Sequence, residues 1–189
     1  RPRPIVRFWA RWFDFHLYGA LVFGAMHLFE VDLRAALESP MFHVTWLLPW
    51  LMLEAIALHL WKTTPGKWLL AIEVQKPGGD HLILGEALLR GFRVYVLGLG
   101  MMLWIFPLIG QAFGLWYTLR FGEAAWDRLA GNEARVGRQN GPRVAAFILL
   151  FLTVMMIWAA LTHAVSEELF DEMLKQIREQ HPELFEKKE

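Results

Sequence analysis

The chain contains no cysteine, and this absence removes several kinds of chemistry at once. A disulfide framework, a thiolate metal site and a cysteine nucleophile all require the missing residue. The sequence also lacks the signatures G-x-S-x-G, H-E-x-x-H and G-x-G-x-x-G and any phosphate-binding P-loop. Its histidines are scattered without the spacing of a metal site. We therefore expect no enzymatic activity, no catalytic residue, no metal and no cofactor.

An excess of either charge is missing as well. The 19 basic residues (Lys and Arg) and the 19 acidic residues (Asp and Glu) cancel. Proteins that bind nucleic acid usually carry a net positive field or a basic patch. We therefore expect no nucleic-acid partner.

What the sequence does contain is apolar residues in long blocks. Of the 189 residues, 56% are hydrophobic, against about 45–50% in a typical soluble domain. Residues 94–119 and 144–166 contain no Asp, Glu, Lys or Arg, and both exceed the roughly 18 residues that suggest a membrane span. With residues 15–29 and 44–61, they predict an all-α membrane protein, a helical bundle of four apolar segments. Residues 30–43 are predicted to form a loop.

The segment at residues 94–119 is the hardest to place. At about 1.5 Å per residue its helix would be about 39 Å long, too long for one crossing and too short for two. Pro107 and Gly110 near its middle weaken a continuous helix. The sequence therefore predicts a hairpin bent at residues 107–110. A single crossing by this segment is the alternative.

The basic residues predict the orientation. Positive residues are enriched in cytoplasmic loops, and the stretch before the first apolar segment carries Arg3, Arg7 and Arg11. Residues 62–93 and 120–143 are also rich in Lys and Arg. We expect the N-terminus and both these segments to be cytoplasmic, in a bacterial inner membrane, and the C-terminus to be outside. The single-crossing alternative places both termini inside.

Short strands are predicted between the apolar segments. Apolar and polar residues alternate in the stretch at residues 68–75, a period typical of a β-strand. A return strand is predicted at residues 81–84 and a further short strand at residues 132–137. We therefore expect a small cytoplasmic β-like element.

The last apolar segment is followed by an acidic tail. Eight acidic residues stand against four basic ones from residue 166 onward. Apolar positions in the tail recur at helical spacing, so we expect an amphipathic continuation of the last helix. The chain is thus divided into a membrane domain, residues 1–143, and a last transmembrane helix with an acidic amphipathic C-terminal helix, residues 144–189.

Charged residues in apolar helices are the clearest site candidates, because each costs a few kcal/mol unless it is paired or hydrated. Arg7, Arg11 and Asp14 follow one another at helical spacing. We expect Asp14 to form an ion pair with Arg11, or with Arg7, just inside the membrane interface. The arginines either anchor the topology or form, with Asp14, an ion relay or a latch to another segment.

Glu54 lies within the second apolar segment and has no nearby base along its own helix. Trp50 and Leu58 occupy the positions four residues before and after it. Loss of hydration favours the neutral form of such a carboxyl. A proton-carrying role and a structural hydrogen bond to another helix are both open.

Three segments of the chain, taken in order, resemble the signature of a known family. They are Arg7-Phe-Trp-Ala-Arg11-Trp-Phe-Asp14, Thr64-Pro65-Gly66-Lys67 continuing to Leu88-Leu89-Arg90, and Trp126-Asp127-Arg128-Leu129-Ala130-Gly131. Together they resemble the RDD family of small membrane proteins, named for one arginine and two aspartates. The resemblance covers residues 1–138. Trp126 stands where the third motif, H-D-x-L-A-G, usually has histidine.

The resemblance implies which residues form the site. Either Arg7 or Arg11 is the family's arginine, with Arg7 matching the spacing better, and Asp14 and Asp127 are its aspartates. With Glu54, these residues are the candidates for an ion-pair network or an ion relay. The predicted topology adds a polar cluster at the cytoplasmic face, able to clamp the β-like element under the helices: Lys67, Arg90 and Arg128.

Two functions follow from the resemblance. Some family members have been linked to sodium/proton antiport, and others serve as accessory or scaffold subunits of membrane assemblies. We favour the non-catalytic accessory role, with the lipid bilayer and a membrane protein or a second copy of the chain as partners. The alternative is an antiporter that carries a monovalent cation past Asp14, Glu54 and Asp127. Trp126 weakens that alternative, because it removes a titratable group beside Asp127.

Overall fold

The computed structural model describes residues 3–102 and 105–180. Its α-helices are α1 (Pro4–Leu28), α2 (Leu33–Glu38), α3 (Pro40–Thr45), α4 (Leu48–Trp61), α5 (Pro65–Leu69), α6 (Leu84–Arg93), α7 (Phe106–Phe121), α8 (Ala125–Ala130) and α9 (Gly141–Gln180). A π-helix (Val94–Gly98) and a 3-10 helix (Gly100–Met102) lie between α6 and α7. The strands are β1 (Ile72–Gln75) and β2 (Glu133–Val136). The prediction of a mainly helical protein with a small β element is confirmed.

The first and last long helices, α1 and α9, pack against each other. Gly19 makes room for the Trp158 ring, since a Cβ at position 19 would lie 1.8 Å from it. Further along, the rings of Phe13 and Phe147 meet with their centroids 5.5 Å apart. The contact thus depends on shape: a small residue on α1 receives a large ring of α9.

Residues 30–43, predicted as a loop, contain α2 and part of α3. Asp32 caps α2, because its Oδ1 accepts a hydrogen bond from the backbone N–H of Ala35 at 3.0 Å. Ser39 caps α3 in the same way, through the Phe42 N–H at 3.4 Å. Such N-caps stabilise the first turn of a helix. The loop prediction was wrong, because each of these capped turns begins a short helix.

The segment at residues 94–119 folds as two arms that pack against each other. The first arm ends near Gly98, and the second, α7, begins at Phe106. A Cβ on Gly110 would lie 2.9 Å from the Gly98 carbonyl oxygen, so the arms pass in close contact. The chain therefore turns back as a hairpin does, but the bend comes earlier than predicted. Pro107 lies in the first turn of the second arm, where a proline gives up no helical hydrogen bond.

The two strands form one antiparallel pair. Ile72 lies opposite Val136, and Gln75 lies opposite Glu133. The strand predicted around residues 132–137 is therefore confirmed. The strand predicted to start at residue 68 is shorter than expected, because the turn of α5 occupies its first residues.

Residues 81–84 form no strand, contrary to the prediction. α4 engages their backbone and side chains: His59 Nδ1 lies 2.8 Å from the Leu82 carbonyl oxygen, and His81 Nδ1 lies 2.9 Å from that of His59. Leu84 already begins α6. Hydrogen bonds with α4 thus take the place of a third strand.

The sheet fixes how the segments before and after the hairpin lie. β1 precedes the hairpin and β2 follows it, and their pairing places both at the same end of the molecule. The start of α1 lies there too, since Arg3 Nη1 donates to Gln139 Oε1 at 3.2 Å. A single crossing by residues 94–119 would put β1 and β2 at opposite ends. The pairing is incompatible with that alternative.

Two stretches of the described chain are long and apolar enough to cross a membrane, Pro40–Trp61 and Gly141–His163. The count of four apolar segments stays a prediction. α9 has 40 residues, and at about 1.5 Å per residue it is about 60 Å long, roughly twice the thickness of a bilayer core. The predicted helical continuation of the last apolar segment is confirmed as far as Gln180, and residues 181–189 lie outside the described residues.

Candidate functional site

Charged side chains from five helices meet in the interior at the end of the molecule that holds the sheet. α1 contributes two of them, and α4, α5, α6 and α8 contribute one each. We refer to these side chains as the buried charge network: Arg7, Asp14, Glu54, Lys67, Arg90 and Asp127. All three family-like motifs are represented in it, so the structure brings together residues up to 120 positions apart in sequence.

Asp14 lies at one end of the network and is held by the segment that leads into α5. Thr64 Oγ1 donates to its Oδ2 at 2.5 Å, and the Gly66 N–H donates to its Oδ1 at 2.6 Å. Lys67 Nζ lies 3.5 Å from Oδ2. A Cβ on Gly66 would lie 2.3 Å from the Ala10 carbonyl oxygen, so this close approach of α5 to α1 requires glycine.

The predicted ion pair between Asp14 and Arg11 is wrong. Within the described residues Asp14 has its charged partner on α5, and neither Arg11 nor Arg7 bonds to it. Helical spacing shows which residues share a face, but the first turn of α5 and its N-cap Thr64 approach Asp14 more closely than the next turn of α1 does. The residues that sequence reasoning missed are Thr64 and Gly66, and the signal was present in the turn-forming Thr64-Pro65-Gly66-Lys67.

Glu54 occupies the middle of the network. Its Oε1 accepts from Lys67 Nζ at 2.9 Å and from Arg90 Nη1 at 3.3 Å, and the residue is 3% exposed. Both bases come from other helices, α5 and α6, and the sequence gives Glu54 none along its own helix. Two cations at this distance favour the ionised carboxylate over the neutral form.

Asp127 lies toward the other end of the buried charge network. Its Oδ1 accepts from Arg90 Nε at 2.7 Å, and its Oδ2 accepts from Arg7 Nη2. Burial opposes the charge of Asp127, but Arg90, Arg7 and Arg11 outweigh it and lower the pKa of this carboxyl below its usual value. Of the two candidate family arginines, Arg7 is thus the one paired with an aspartate.

Arg11 lies beside the network without joining it. Its Cζ lies 4.4 Å from the centroid of the Trp126 ring, a cation–π contact. Among the described residues its guanidinium has no hydrogen-bond partner, and its enclosed Nε and the Trp126 Nε1 are both unsatisfied. The tryptophan in the third motif therefore supplies a ring for Arg11 to stack on.

Arg128, predicted to belong to the polar cluster, is not part of it. Its side chain is exposed and its Cζ lies 5.3 Å from the centroid of the Phe121 ring. Adjacent residues of a helix point about 100° apart, so the burial of Asp127 turns Arg128 outward. The other two predicted members, Lys67 and Arg90, are buried in the network.

The buried charge network contains three carboxylates, but they are not arranged as a metal site. Among the residues that the structure describes, no three His, Asp or Glu side chains lie close enough to hold a metal ion. The three buried carboxylates are instead separated by cations, in the order Asp14, Lys67, Glu54, Arg90, Asp127, Arg7. This alternation joins helices and leaves each carboxylate oxygen pair facing a base.

The fold and the site define a class of protein: helical, with apolar helices long enough to span a membrane, and joined at one end by buried ion pairs. The model of the RDD family matches residues 1–131, more than half of the chain, and the chain belongs to that family. The match contains the whole buried charge network and ends before β2 and α9. Comparisons with curated proteins and with solved structures find no match.

Proposed function

We propose that this RDD-family chain is a non-catalytic accessory or scaffold subunit of a membrane assembly, in a bacterial inner membrane. The observation that carries the proposal is the state of the buried acids. Asp14, Glu54 and Asp127 each lie within 3.5 Å of a Lys or Arg from another helix. Carboxylates already matched in this way have little attraction left for a sodium ion, and they give the fold a clamp.

The structure supports a topology in which the sheet end faces the cytoplasm. The N-terminal arginines and the segments around β1 and β2 meet at that end, as the enrichment of positive residues in cytoplasmic loops favours. The stretches Pro40–Trp61 and Gly141–His163 then cross the bilayer. α9 continues beyond it toward the opposite side, as a helix available to a membrane-protein partner or a second copy.

One observation favours the alternative of cation/proton antiport. The Glu54 Oε2 is buried and has no hydrogen-bond partner within the described residues. An unsatisfied carboxylate oxygen is an acceptor for a proton or a monovalent cation. The nearby Lys67 and Arg90 oppose a cation at this position, which is why the accessory role ranks first.

The deciding experiment is proton flux in liposomes that contain only this protein. We expect an inward sodium gradient to cause no proton movement beyond that of protein-free liposomes. Sodium-dependent flux that Glu54→Gln abolishes, while the variant melts at the wild-type temperature, would establish the antiporter in place of the accessory subunit. Arg128→Gln serves as the control for a charge change outside the network.

The accessory role makes a separate prediction about α9. Truncation after residue 165 should leave the melting temperature of the purified chain nearly unchanged, because the packing described between α9 and α1 lies before that point. In native membranes, the same truncation should reduce the size of the complex that contains the chain. An unchanged complex size would show that the extension of α9 has no docking role.

A further inference from the structure

A cavity of about 70 Å³ lies beside the buried charge network, between α1, α7 and α8. At roughly 10–15 Å³ for each water, it has room for about five water molecules. Among the described residues, all of the charged side chains that line it are positive: Arg7, Arg11, Lys67 and Arg90. The three carboxylates of the network do not line it. The interior space next to the network therefore carries a field that attracts anions.

The hydrogen-bonding groups at this cavity that lack a partner also favour an anion. Arg11 and Trp126 both line it, and the Nε of Arg11 and the Nε1 of Trp126 are buried without a partner among the described residues. Both atoms can only donate hydrogen bonds. A guanidinium offers a planar fork that matches the two oxygens of a carboxylate or phosphate. An acceptor is thus what the unsatisfied groups lack.

The balance of charges around the cavity also favours an anion. The network holds the carboxylates of Asp14, Glu54 and Asp127 against the cations Arg7, Lys67 and Arg90, and these balance. Arg11 is one further positive charge, attracted by Glu54 and Asp127 but hydrogen-bonded to neither. Arg11 is half-buried with its Nε enclosed. Removing part of an uncompensated charge from water is costly, so one negative charge in the cavity would complete the site.

We propose that this cavity binds an oxyanion group, a carboxylate or a phosphate, through the Arg11 fork and the Trp126 indole N–H. The group can belong to a free anion or to the head of an anionic lipid. The apolar side chains that line the same cavity suit the second source as well as the first: Phe8, Trp12, Phe15, Leu99 and Leu115. The site is independent of the accessory role, because it concerns Arg11 and not the paired acids.

Arg11 has a competing explanation, namely that it only fixes Trp126 by stacking. The two explanations differ for Arg11→Gln. If Arg11 awaits an anion, the ligand-free variant loses a half-buried charge whose enclosed Nε is unsatisfied. It should then melt at or above the wild-type temperature, but anions should no longer stabilise it. If Arg11 serves only to hold Trp126, the variant should melt at a lower temperature and anions should affect both proteins equally.

The direct test is a calorimetric titration of the full chain in a neutral detergent and Tris chloride, with inorganic phosphate and with acetate as probes. We expect saturable binding of at least one probe at one site per chain. Arg11→Gln should weaken it at least about tenfold, the typical contribution of a charged hydrogen bond. Arg128→Gln, which removes an exposed arginine outside the cavity, should change it less than twofold. The proposal is overturned if the wild type shows no saturable binding either here or in the titration with a lipid described next. It is also overturned if Arg11→Gln binds as tightly as the wild type.

A second titration identifies the source of the oxyanion. Dioctanoyl phosphatidic acid should bind at least about tenfold more tightly than inorganic phosphate if a lipid head is the ligand, because its chains add apolar contact. Affinity no greater than that of phosphate assigns a free anion. If Arg11→Gln does not fold, Arg11→Lys replaces it: this variant keeps the charge, loses the fork and should still weaken binding severalfold. Wild-type affinity in a folded Arg11→Lys would contradict recognition by the fork.

Discussion

Two regions of the molecule, the buried charge network and α9, are held in place by different forces. The part that contains the buried charge network is joined by ion pairs between helices distant in sequence, with Arg90 and Asp127 each 1% exposed. α9 instead packs on α1 through rings and a glycine, and most of its apolar side chains are exposed, Leu149 among them. Ion pairs in an interior depend strongly on geometry, whereas exposed apolar positions tolerate exchange. Substitutions should therefore matter at the first region and matter little at the second.

The largest effect is expected for Arg90→Met. Arg90 bridges Glu54 and Asp127, so its loss leaves two buried carboxylates with fewer partners and should cost about 3–5 kcal/mol of unfolding free energy. The measurement is unfolding in mixed micelles, followed by tryptophan fluorescence. Arg128→Met, at an exposed position, should cost less than about 0.5 kcal/mol. Equal, small losses for both variants would show that the network does not hold the helices together.

Asp127→Asn should cost somewhat less, about 2–3 kcal/mol at neutral pH, because the amide keeps its shape but loses charged hydrogen bonds. The pKa of Asp127 is lowered in the folded protein. Its contribution is therefore fully present above the unfolded pKa of about 3.9 and is lost as the pH falls through the folded value.

The corresponding measurement is the stability difference between wild type and Asp127→Asn as a function of pH. We predict that the difference stays constant from pH 7 to about 5 and shrinks only below about 4. A difference that disappears near pH 6 would mean that Asp127 is protonated near neutrality and would favour a proton-carrying role.

Two glycines allow the regions to be compared by the same chemical change. A methyl at Gly66 would meet the backbone oxygen of Ala10 at 2.3 Å, and a methyl at Gly19 would meet the Trp158 ring at 1.8 Å. A side chain can move aside more easily than a backbone, so Gly66→Ala should cost about 1–3 kcal/mol and Gly19→Ala should cost less. Gly85→Ala, where nothing lies within 4 Å, should stabilise α6 by up to about 1 kcal/mol. A larger loss for Gly19→Ala than for Gly66→Ala would reverse the ranking of the two regions.

The smallest effect is expected on the outer face of α9. Leu149 is 68% exposed, whereas Val154 is 7% exposed. Leu149→Ala should change the unfolding free energy by less than about 0.5 kcal/mol in detergent, and Val154→Ala should cost more because it leaves a small cavity. A large loss at Leu149 would identify a protein contact on this face in place of lipid.

The sequence was sufficient to identify the residues of the buried charge network, but it did not reveal which acid pairs with which base. The motifs and the cost of charges in apolar helices singled out Asp14, Glu54 and Asp127. Their partners are set by how α5 and α6 dock, and the Asp14–Lys67 contact joins residues 53 positions apart. Helical spacing describes neighbours within one helix only. It therefore suggested Arg11 for Asp14, and it could not identify the bases of Glu54, which lie on α5 and α6.

The same limit explains the errors in the fold. Alternation predicted β1, and a short strand was predicted at residues 132–137. Neither prediction indicated that β1 would pair with β2, a strand about 60 residues later in the chain, in place of residues 81–84. Pro107 and Gly110 predict a bend at residues 107–110, although a proline in the first turn of α7 is compatible with a helix. Arginine-rich segments did predict that both flanks of the hairpin lie at one end, because charge bias reports on sidedness and not on contacts.

A double-mutant cycle between Arg90 and Asp127 tests most directly whether buried ion pairs hold this molecule together. The cycle compares Arg90→Met, Asp127→Asn and the double variant with the wild type, by unfolding free energy in mixed micelles. With Arg90 Nε 2.7 Å from Asp127 Oδ1, we predict a coupling energy of about 1–3 kcal/mol, with the double variant more stable than the sum of the single losses implies. Additive losses, with coupling below about 0.3 kcal/mol, would contradict the clamp.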